Sequence, residues 1–71
     1  MTFHVQTQDK GRTAHYVEST IFKSGRVLSS RKTFYTSFLD SPQLTDKIKE
    51  IIEDQHNTIL REIAEGRFDH L

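Results

Sequence analysis

The segment from Asp40 to Phe68 constrains the fold more than any other part of the sequence. Its large apolar residues recur at spacings of three, four and seven, which places them along one side of an α-helix. These residues are Leu44, Ile48, Ile51, Ile52, Ile59, Leu60 and Ile63. A helix from about 41 to 65 would be roughly 36 Å long at 1.5 Å per residue. The remaining residues must supply the surface that covers this apolar stripe.

Both ends of the predicted helix carry residues that commonly begin or end helices. Asp40 is expected to cap the first turn, with Gln43 completing a capping box. Ser41 is the alternative cap, which would place Pro42 at the first helical position. Gly66 is expected to adopt the left-handed conformation that stops a helix.

Three segments of the first half are rich in β-branched and aromatic residues, and two turn sequences, Asp9-Lys10-Gly11 and Ser24-Gly25, separate them. The predicted strands are Phe3 to Gln8, Ala14 to Phe22 and Val27 to Tyr35. The predicted fold class is therefore α+β: a three-stranded antiparallel β-meander followed by one long C-terminal α-helix packed on one face (β-β-β-α). We expect a single domain, 1–71, with the meander in 1–39 and the helix with its C-terminal cap in 40–68.

The turn lengths predict which residues face the helix. A two-residue turn at Ser24-Gly25 pairs Phe22 with Val27 and, further along the strands, Glu18 with Arg31. A three-residue first loop with Gly11 in the left-handed conformation places Val5 opposite His15 and Phe3 opposite Val17. With these registers, the predicted helix-facing side contains Phe3, Val5, Val17, Ile21, Leu28 and Phe34.

The predicted outer face carries more aromatic side chains than a solvated sheet needs. Its residues are His4, Gln6, Gln8, Tyr16, Glu18, Thr20, Phe22, Val27, Ser29, Arg31, Thr33 and Tyr35. Six of them form a candidate partner-binding surface: His4, Gln6, Tyr16, Phe22, Arg31 and Tyr35. The alternatives are a dimer surface, or good strand-forming residues with no further role.

The formal net charge is zero, but the charge is unevenly divided. Residues 1–39 contain six basic and two acidic side chains, a net charge of +4. Residues 40–71 contain four basic and eight acidic side chains, a net charge of −4. The two halves are expected to attract each other, within one chain or between two chains.

The predicted helix is longer than the sheet, because a strand of eight residues spans only about 27 Å at 3.4 Å per residue. Its apolar stripe is also wide, so one sheet is not expected to cover it. We predict a homodimer in which the helices pack on each other across a symmetric interface. The predicted seam contains Ile51, Gln55, His56, Ile59 and Leu60.

Gln55 and His56 interrupt the apolar stripe between Ile52 and Ile59. A buried amide and a buried imidazole need hydrogen-bond partners. Ser19, Ser30, His15 or a symmetry-related copy are expected to supply them. We interpret this pair as a polar contact that fixes the packing of the helix, in preference to a catalytic histidine.

The sequence gives little indication of catalysis or metal binding. The four histidines, His4, His15, His56 and His70, match no ligand spacing, and there is no cysteine. No glycine-rich elbow frames a nucleophile. We therefore expect no metal, no cofactor and no enzymatic activity.

A basic half with Tyr16, Phe22 and Tyr35 on an antiparallel sheet is superficially similar to sheets that stack single-stranded bases. The sequence lacks a run of Arg or Lys, and its pI of about 6.9 lies far below that of typical nucleic-acid binders. Both features argue against nucleic acid as a partner.

Residues 1–30 contain no apolar run that resembles a signal peptide, and no segment approaches the roughly 20 apolar residues that a membrane span requires. The absence of cysteine fits a reducing compartment. We expect a cytoplasmic protein with no membrane association.

Several short segments together resemble a family of small uncharacterised bacterial proteins, and the resemblance covers nearly the whole chain. The segments are His4-Val5-Gln6-Thr7-Gln8-Asp9, Val27-Leu28-Ser29-Ser30-Arg31-Lys32-Thr33 with Tyr35, Asp54-Gln55-His56 and Gly66-Arg67-Phe68-Asp69. The resemblance implies an accessory or protein-interaction role and supplies no catalytic residue. The predicted function is a non-catalytic protein-interaction or assembly module acting as a homodimer. The alternative is a weak nucleic-acid-binding domain that uses the basic sheet.

Overall fold

The protein forms one three-stranded antiparallel sheet with a long helix on one face, as the sequence predicts. The structure is a computed structural model that describes residues 2–69, apart from the side chain of Arg12. Its elements are β1 (Phe3–Asp9), a helical turn α1 (Gly11–Ala14), β2 (Tyr16–Lys23), β3 (Arg26–Phe34), a 3₁₀ turn (Thr36–Phe38) and α2 (Leu44–Ala64). The strand order is β1-β2-β3, and α2 packs mainly across β1 and β2. The predicted α+β class with β-β-β-α order is confirmed.

The second hairpin has the two-residue turn that its sequence predicts. Ser24 and Gly25 both have positive φ angles, 53° and 82°, which is the backbone of the tight turns that match the twist of a hairpin. Phe22 lies opposite Val27, as expected.

Beyond that first pair, β3 contains a bulge that was not expected from the sequence. Phe22 lies opposite Val27, but Ile21 lies opposite Ser29, so Leu28 is an extra residue in β3. Every later residue of β3 is therefore displaced by one position relative to β2. The predicted pairing of Glu18 with Arg31 is wrong, because Arg31 lies opposite Ser19.

A displacement of one residue exchanges the two faces of a strand. Arg31, Thr33 and Tyr35 were predicted on the outer face but lie on the side of the sheet that faces α2, and Tyr35 is only 1 % exposed. Phe34 was predicted to face α2 but lies on the outer face and is 60 % exposed. Leu28 still packs against the core, because a bulge leaves the extra residue on the inner side.

The first hairpin also differs from the prediction. A helical turn replaces the three-residue loop, and the left-handed residue is His15, with φ 58°, in place of Gly11. Val5 consequently lies opposite Ile21 and Phe3 opposite Lys23. The change in register is an even number of residues, so Phe3 and Val5 still face α2, as predicted.

Helix α2 begins later than predicted and ends as predicted. No side chain caps its first residue, Leu44, and the expected capping box is absent. Residues 38–44 form consecutive turns before the helix starts. Within these turns, Ser41 Oγ accepts the backbone N–H of Gln43 at 3.2 Å. At the other end Gly66 has φ 79° and donates its N–H to Ile63 O, and the backbone N–H of Arg67 donates to Glu62 O. These two bonds form a Schellman motif.

The apolar core lies under the C-terminal half of α2. Ile21, Ile59 and Phe68 form its centre, and the glycine turn after α2 returns Phe68 to it. Phe3, Val5, Leu28 and Ile63 pack around this centre. Ile59 is the one residue of the apolar stripe that is fully buried, whereas Leu60 is 45 % exposed.

Deleting Leu28 is expected to remove the bulge and leave the rest of β3 in place. The pairs Ile21–Ser29 and Val17–Thr33 should persist as cross-strand nuclear Overhauser effects. The free energy of unfolding should fall by about 1–2 kcal/mol, because a partly buried leucine side chain is lost. Leu28→Ala is the matched control, since it removes the side chain without changing the backbone. A deletion variant in which Arg31 moves to the outer face would contradict the bulge.

Candidate functional site

Five polar side chains lie between the sheet and α2, and we call them the polar layer. They are Thr7 from β1, Ser19 from β2, Thr33 from β3, and Gln55 and His56 from α2. Ser19 and Gln55 are buried. Buried polar groups need hydrogen-bond partners, and the polar layer supplies them within a single chain.

The Gln55 amide joins α2 to two strands. Its Nε2 lies 2.9 Å from Ser19 Oγ and 3.4 Å from Val17 O, both in β2, and 3.2 Å from Arg31 O in β3. Its Oε1 accepts the hydroxyl of Thr33. Ser19 is one of the partners expected for Gln55. Thr33 was placed on the wrong face by the predicted register.

The hydrogen bonds of the polar layer continue from Gln55 to His56. An amide nitrogen can only donate, so Ser19 Oγ accepts from Gln55, and it lies 2.8 Å from Thr7 Oγ1. Thr7 Oγ1 in turn lies 2.8 Å from His56 Nδ1. Thr7 was not among the predicted site residues, although it alternates with the inward-facing Phe3 and Val5.

A charge pair connects β3 to the last turns of α2. Arg31 donates to both carboxylate oxygens of Glu62, at 2.8 and 3.3 Å. The hydrogen bond from Arg31 lowers the pKa of Glu62 below its ordinary value, against the opposing effect of burial. The Arg31 side chain is 40 % exposed, so solvent screening limits the pair to roughly 0–1 kcal/mol. The opposite charges of the two halves therefore meet within one chain.

A second contact joins the residue after β3 to the end of β1. The Tyr35 hydroxyl donates to Asp9 Oδ1 at 2.5 Å, and the same oxygen accepts the Gly11 N–H at 2.9 Å. Burial, followed by the hydrogen bond and the charge of Asp9, raises the pKa of Tyr35 to about 12. The ring of His15 meets the Tyr35 ring edge-on, with centroids 6.4 Å apart.

The outer face carries a cluster that we call the aromatic patch: Tyr16, which is partly buried, and Lys32 and Phe34, which are exposed. The rings of Tyr16 and Phe34 are 5.1 Å apart, and the Lys32 ammonium lies 4.9 Å from the centre of the Tyr16 ring. At the other end of the same face, the rings of His4 and Phe22 are 6.0 Å apart.

The structure therefore changes the composition of the predicted partner-binding surface. His4, Gln6, Tyr16 and Phe22 lie on the outer face, as expected from their alternation with buried residues. The placement of Arg31 and Tyr35 on that face is wrong, because the bulge turns both toward α2. Lys32 and Phe34 take their places beside Tyr16.

The predicted dimer seam stays a prediction, and the protomer uses several of its residues. Ile59 and Gln55 are buried between α2 and the sheet, and His56 is bonded to Thr7. Ile51 lines a cleft. Leu60 is the member with the largest exposed fraction.

The cleft lies between β3 and α2, where the helix does not cover the sheet. It has a volume of about 320 Å³ and is lined by Arg31, Thr33, Ile51, Asp54, Gln55 and Thr58. Among its polar lining residues, Arg31, Thr33 and Gln55 are engaged in the contacts described above. Ile51 supplies an apolar wall.

Replacing Gln55 by Leu is expected to lower the free energy of unfolding by about 2–3 kcal/mol, because Ser19, Thr33 and the backbone carbonyls of Val17 and Arg31 all lose their hydrogen bonds to the amide. Glu53→Leu is the matched control on the exposed side of α2 and should change stability by no more than about 0.5 kcal/mol. Chemical denaturation measures both. Equal effects of the two substitutions would show that the polar layer does not hold α2.

Tyr35 is expected to ionise with a midpoint near pH 12. In a Tyr16→Phe variant it is the only tyrosine, so its ionisation can be followed by ultraviolet absorbance immediately after a pH jump. The unfolded chain releases this proton near pH 10, so the stabilising contribution is complete below pH 10 and is lost as the pH rises to 12. The loss is about 2–3 kcal/mol. Tyr35→Phe should remove this loss, and a midpoint near 10 would contradict the buried contact with Asp9.

Within residues 2–69, no three His, Asp or Glu side chains lie close enough together to hold a metal ion; His70, considered above as a ligand, lies outside that range. No helix in the described part of the chain is long and apolar enough to cross a membrane. No protein-family model, curated protein or solved structure matches the chain. The resemblance to small bacterial proteins therefore stays a prediction.

Proposed function

We propose that the chain is a non-catalytic protein-interaction or assembly module that acts as a homodimer in the bacterial cytoplasm. One observation carries this proposal. The aromatic patch is exposed on the open outer face, while the polar layer is engaged in hydrogen bonds between the sheet and α2.

The aromatic patch has the composition of a protein interface. Aromatic side chains provide a large contact area at low entropic cost, and they are enriched in the centres of interfaces. Phe34 stands beside a second ring and a cation, so the exposed surface is continuous. A contiguous exposed apolar surface favours a binding role over a solvated one.

The homodimer is supported by the incomplete burial of the helix. Leu44, Ile48 and Ile52 are only half-buried in the protomer, and Leu60 is more exposed still. A second copy would cover these side chains, and the helices would form the symmetric contact. The outer face of each sheet would then stay open for a partner.

Binding of single-stranded nucleic acid is the alternative. It is favoured by the Lys32 ammonium over the Tyr16 ring, since cations and rings together stack bases. It is disfavoured by charge, because Glu18 lies opposite Lys32 and Arg31 turns inward to Glu62.

The role of the aromatic patch can be tested with Phe34→Ala. We expect this variant to lose the proteins that the wild type captures from a bacterial extract, with its melting temperature unchanged. Phe38→Ala is the matched control, because it also removes a partly exposed phenylalanine but lies in the segment before α2. Capture of the same proteins by both variants would overturn the assignment of the patch.

Light scattering over a range of concentrations tests the dimer. The expected mass is twice 8.3 kDa, and Leu60→Glu should reduce it to the mass of one chain. A constant monomer mass would exclude the dimer. An oligonucleotide that shifts the amide resonances of the sheet, with strong salt dependence, would favour the alternative.

A further inference from the structure

Strand β3 forms an open edge of the sheet. In an antiparallel ladder, hydrogen-bonded pairs alternate with non-hydrogen-bonded pairs. Tyr35 donates its N–H to His15 O at 3.0 Å. Every second residue back from Tyr35 therefore also directs its backbone groups toward β2, and these residues are Thr33 and Arg31. The alternate residues, Ser30, Lys32 and Phe34, direct their N–H and C=O groups away from the sheet.

The other hairpin gives the same alternation independently. Lys10 donates its N–H to Tyr16 O, and Ser24 donates to Thr2 O. The even-numbered residues of β2 therefore bond to β1, which leaves the odd-numbered ones for β3. The open edge of β3 thus carries a regular row of donors and acceptors that an extended chain can match.

The cleft borders this edge on the inner side. Helix α2 packs mainly across β1 and β2, so the inner face of β3 is only partly covered. A strand added at β3 would place alternate side chains in the cleft beside Ile51 and the others on the outer face beside Lys32 and Phe34. At β1, in contrast, α2 packs against the inner face.

The positive charge of β3 favours an acidic added strand over a second copy of β3. Arg26–Phe34 contains Arg26, Arg31 and Lys32 and no acidic residue. Arg31 is already paired with Glu62, so a second copy of β3 would bring four further positive charges together, those of Arg26 and Lys32 in each copy. Like charges across a strand pair are unfavourable. Lysine on an edge strand commonly prevents such self-pairing. An acidic strand meets no such repulsion.

We propose that the open edge of β3 binds an acidic, extended segment of a partner protein, which adds to the sheet as a fourth strand. This inference rests on the proposed function and names the chemistry of the partner. The partner residue that lies opposite Lys32 is acidic, and its side chain is on the outer face. The two partner residues that flank it in the added strand are apolar, and their side chains enter the cleft.

The experiment titrates the isotope-labelled full chain with the blocked peptide Val-Glu-Val-Glu-Val-Glu-Val. The amides of Ser30, Lys32 and Phe34 should shift and become protected from hydrogen exchange. The amide of Thr20, which is directed toward β1, should not change. The same peptide with Lys in place of Glu should not bind.

Two variants separate the backbone from the charge. Ser30→Pro removes only an outward N–H and should weaken binding at least about fivefold, whereas Ser30→Ala should not. Lys32→Glu should weaken binding about fivefold, whereas Lys49→Glu makes the same change of charge on the exposed side of α2 and should not. Unchanged resonance dispersion verifies the fold of each variant.

The proposal would be overturned if the acidic peptide did not bind at millimolar concentration, or if Ser30→Pro bound it as well as the wild type. It would also be overturned if, without peptide, Ser30→Pro reduced the mass of the protein from that of two chains to that of one. The last result would assign the edge to a second copy. The two proposals can fail independently. Phe34→Ala tests the aromatic patch and keeps the backbone of the edge intact, whereas Ser30→Pro tests the edge and keeps the patch.

Discussion

The amide of Gln55 determines how the sheet and α2 fit together. The apolar centre consists of a few side chains, and apolar contacts tolerate small displacements of a helix across a sheet. The amide does not, because its nitrogen must reach Ser19 while its oxygen receives Thr33. Any displacement of α2 along or across the strands leaves buried polar groups unpaired, which costs more than a hydrogen bond contributes.

The bulge at Leu28 makes this arrangement possible. If Leu28 were instead paired regularly with Ile21, Thr33 and Arg31 would lie on the outer face, and neither the amide oxygen of Gln55 nor the carboxylate of Glu62 would have its partner. The same extra residue moves Phe34 outward beside Tyr16. The register that follows the bulge thus completes the contact with the helix and places Phe34 in the exposed patch on the opposite face.

Sequence reasoning predicts the order of the elements, the second turn and the end of the helix, because periodicity, Ser24-Gly25 and Gly66 each specify local geometry. It does not predict the faces of β3. Ser29-Ser30, Arg31-Lys32 and Phe34-Tyr35 are pairs of similar residues, so the alternation looks the same in either register. The interrupted stripe reveals that Gln55 needs partners, and Ser19 is found among them. Thr33 and the outward position of Phe34 depend on the bulge, which has no distinct signal in this sequence.

The return of Phe68 to the core has a consequence for the order in which the chain folds during synthesis. The three strands are made first, yet the residues that complete the apolar core beneath them, Ile59, Ile63 and Phe68, lie near or beyond the far end of the helix. The bond between Thr7 and His56 likewise joins residues separated by 49 positions. Contacts between such distant positions form late and slow folding. Until Gln55, Ile59 and Phe68 have been added, the inner polar and apolar groups of the nascent sheet lack their partners from the C-terminal segment, and the exposed sheet is prone to aggregation.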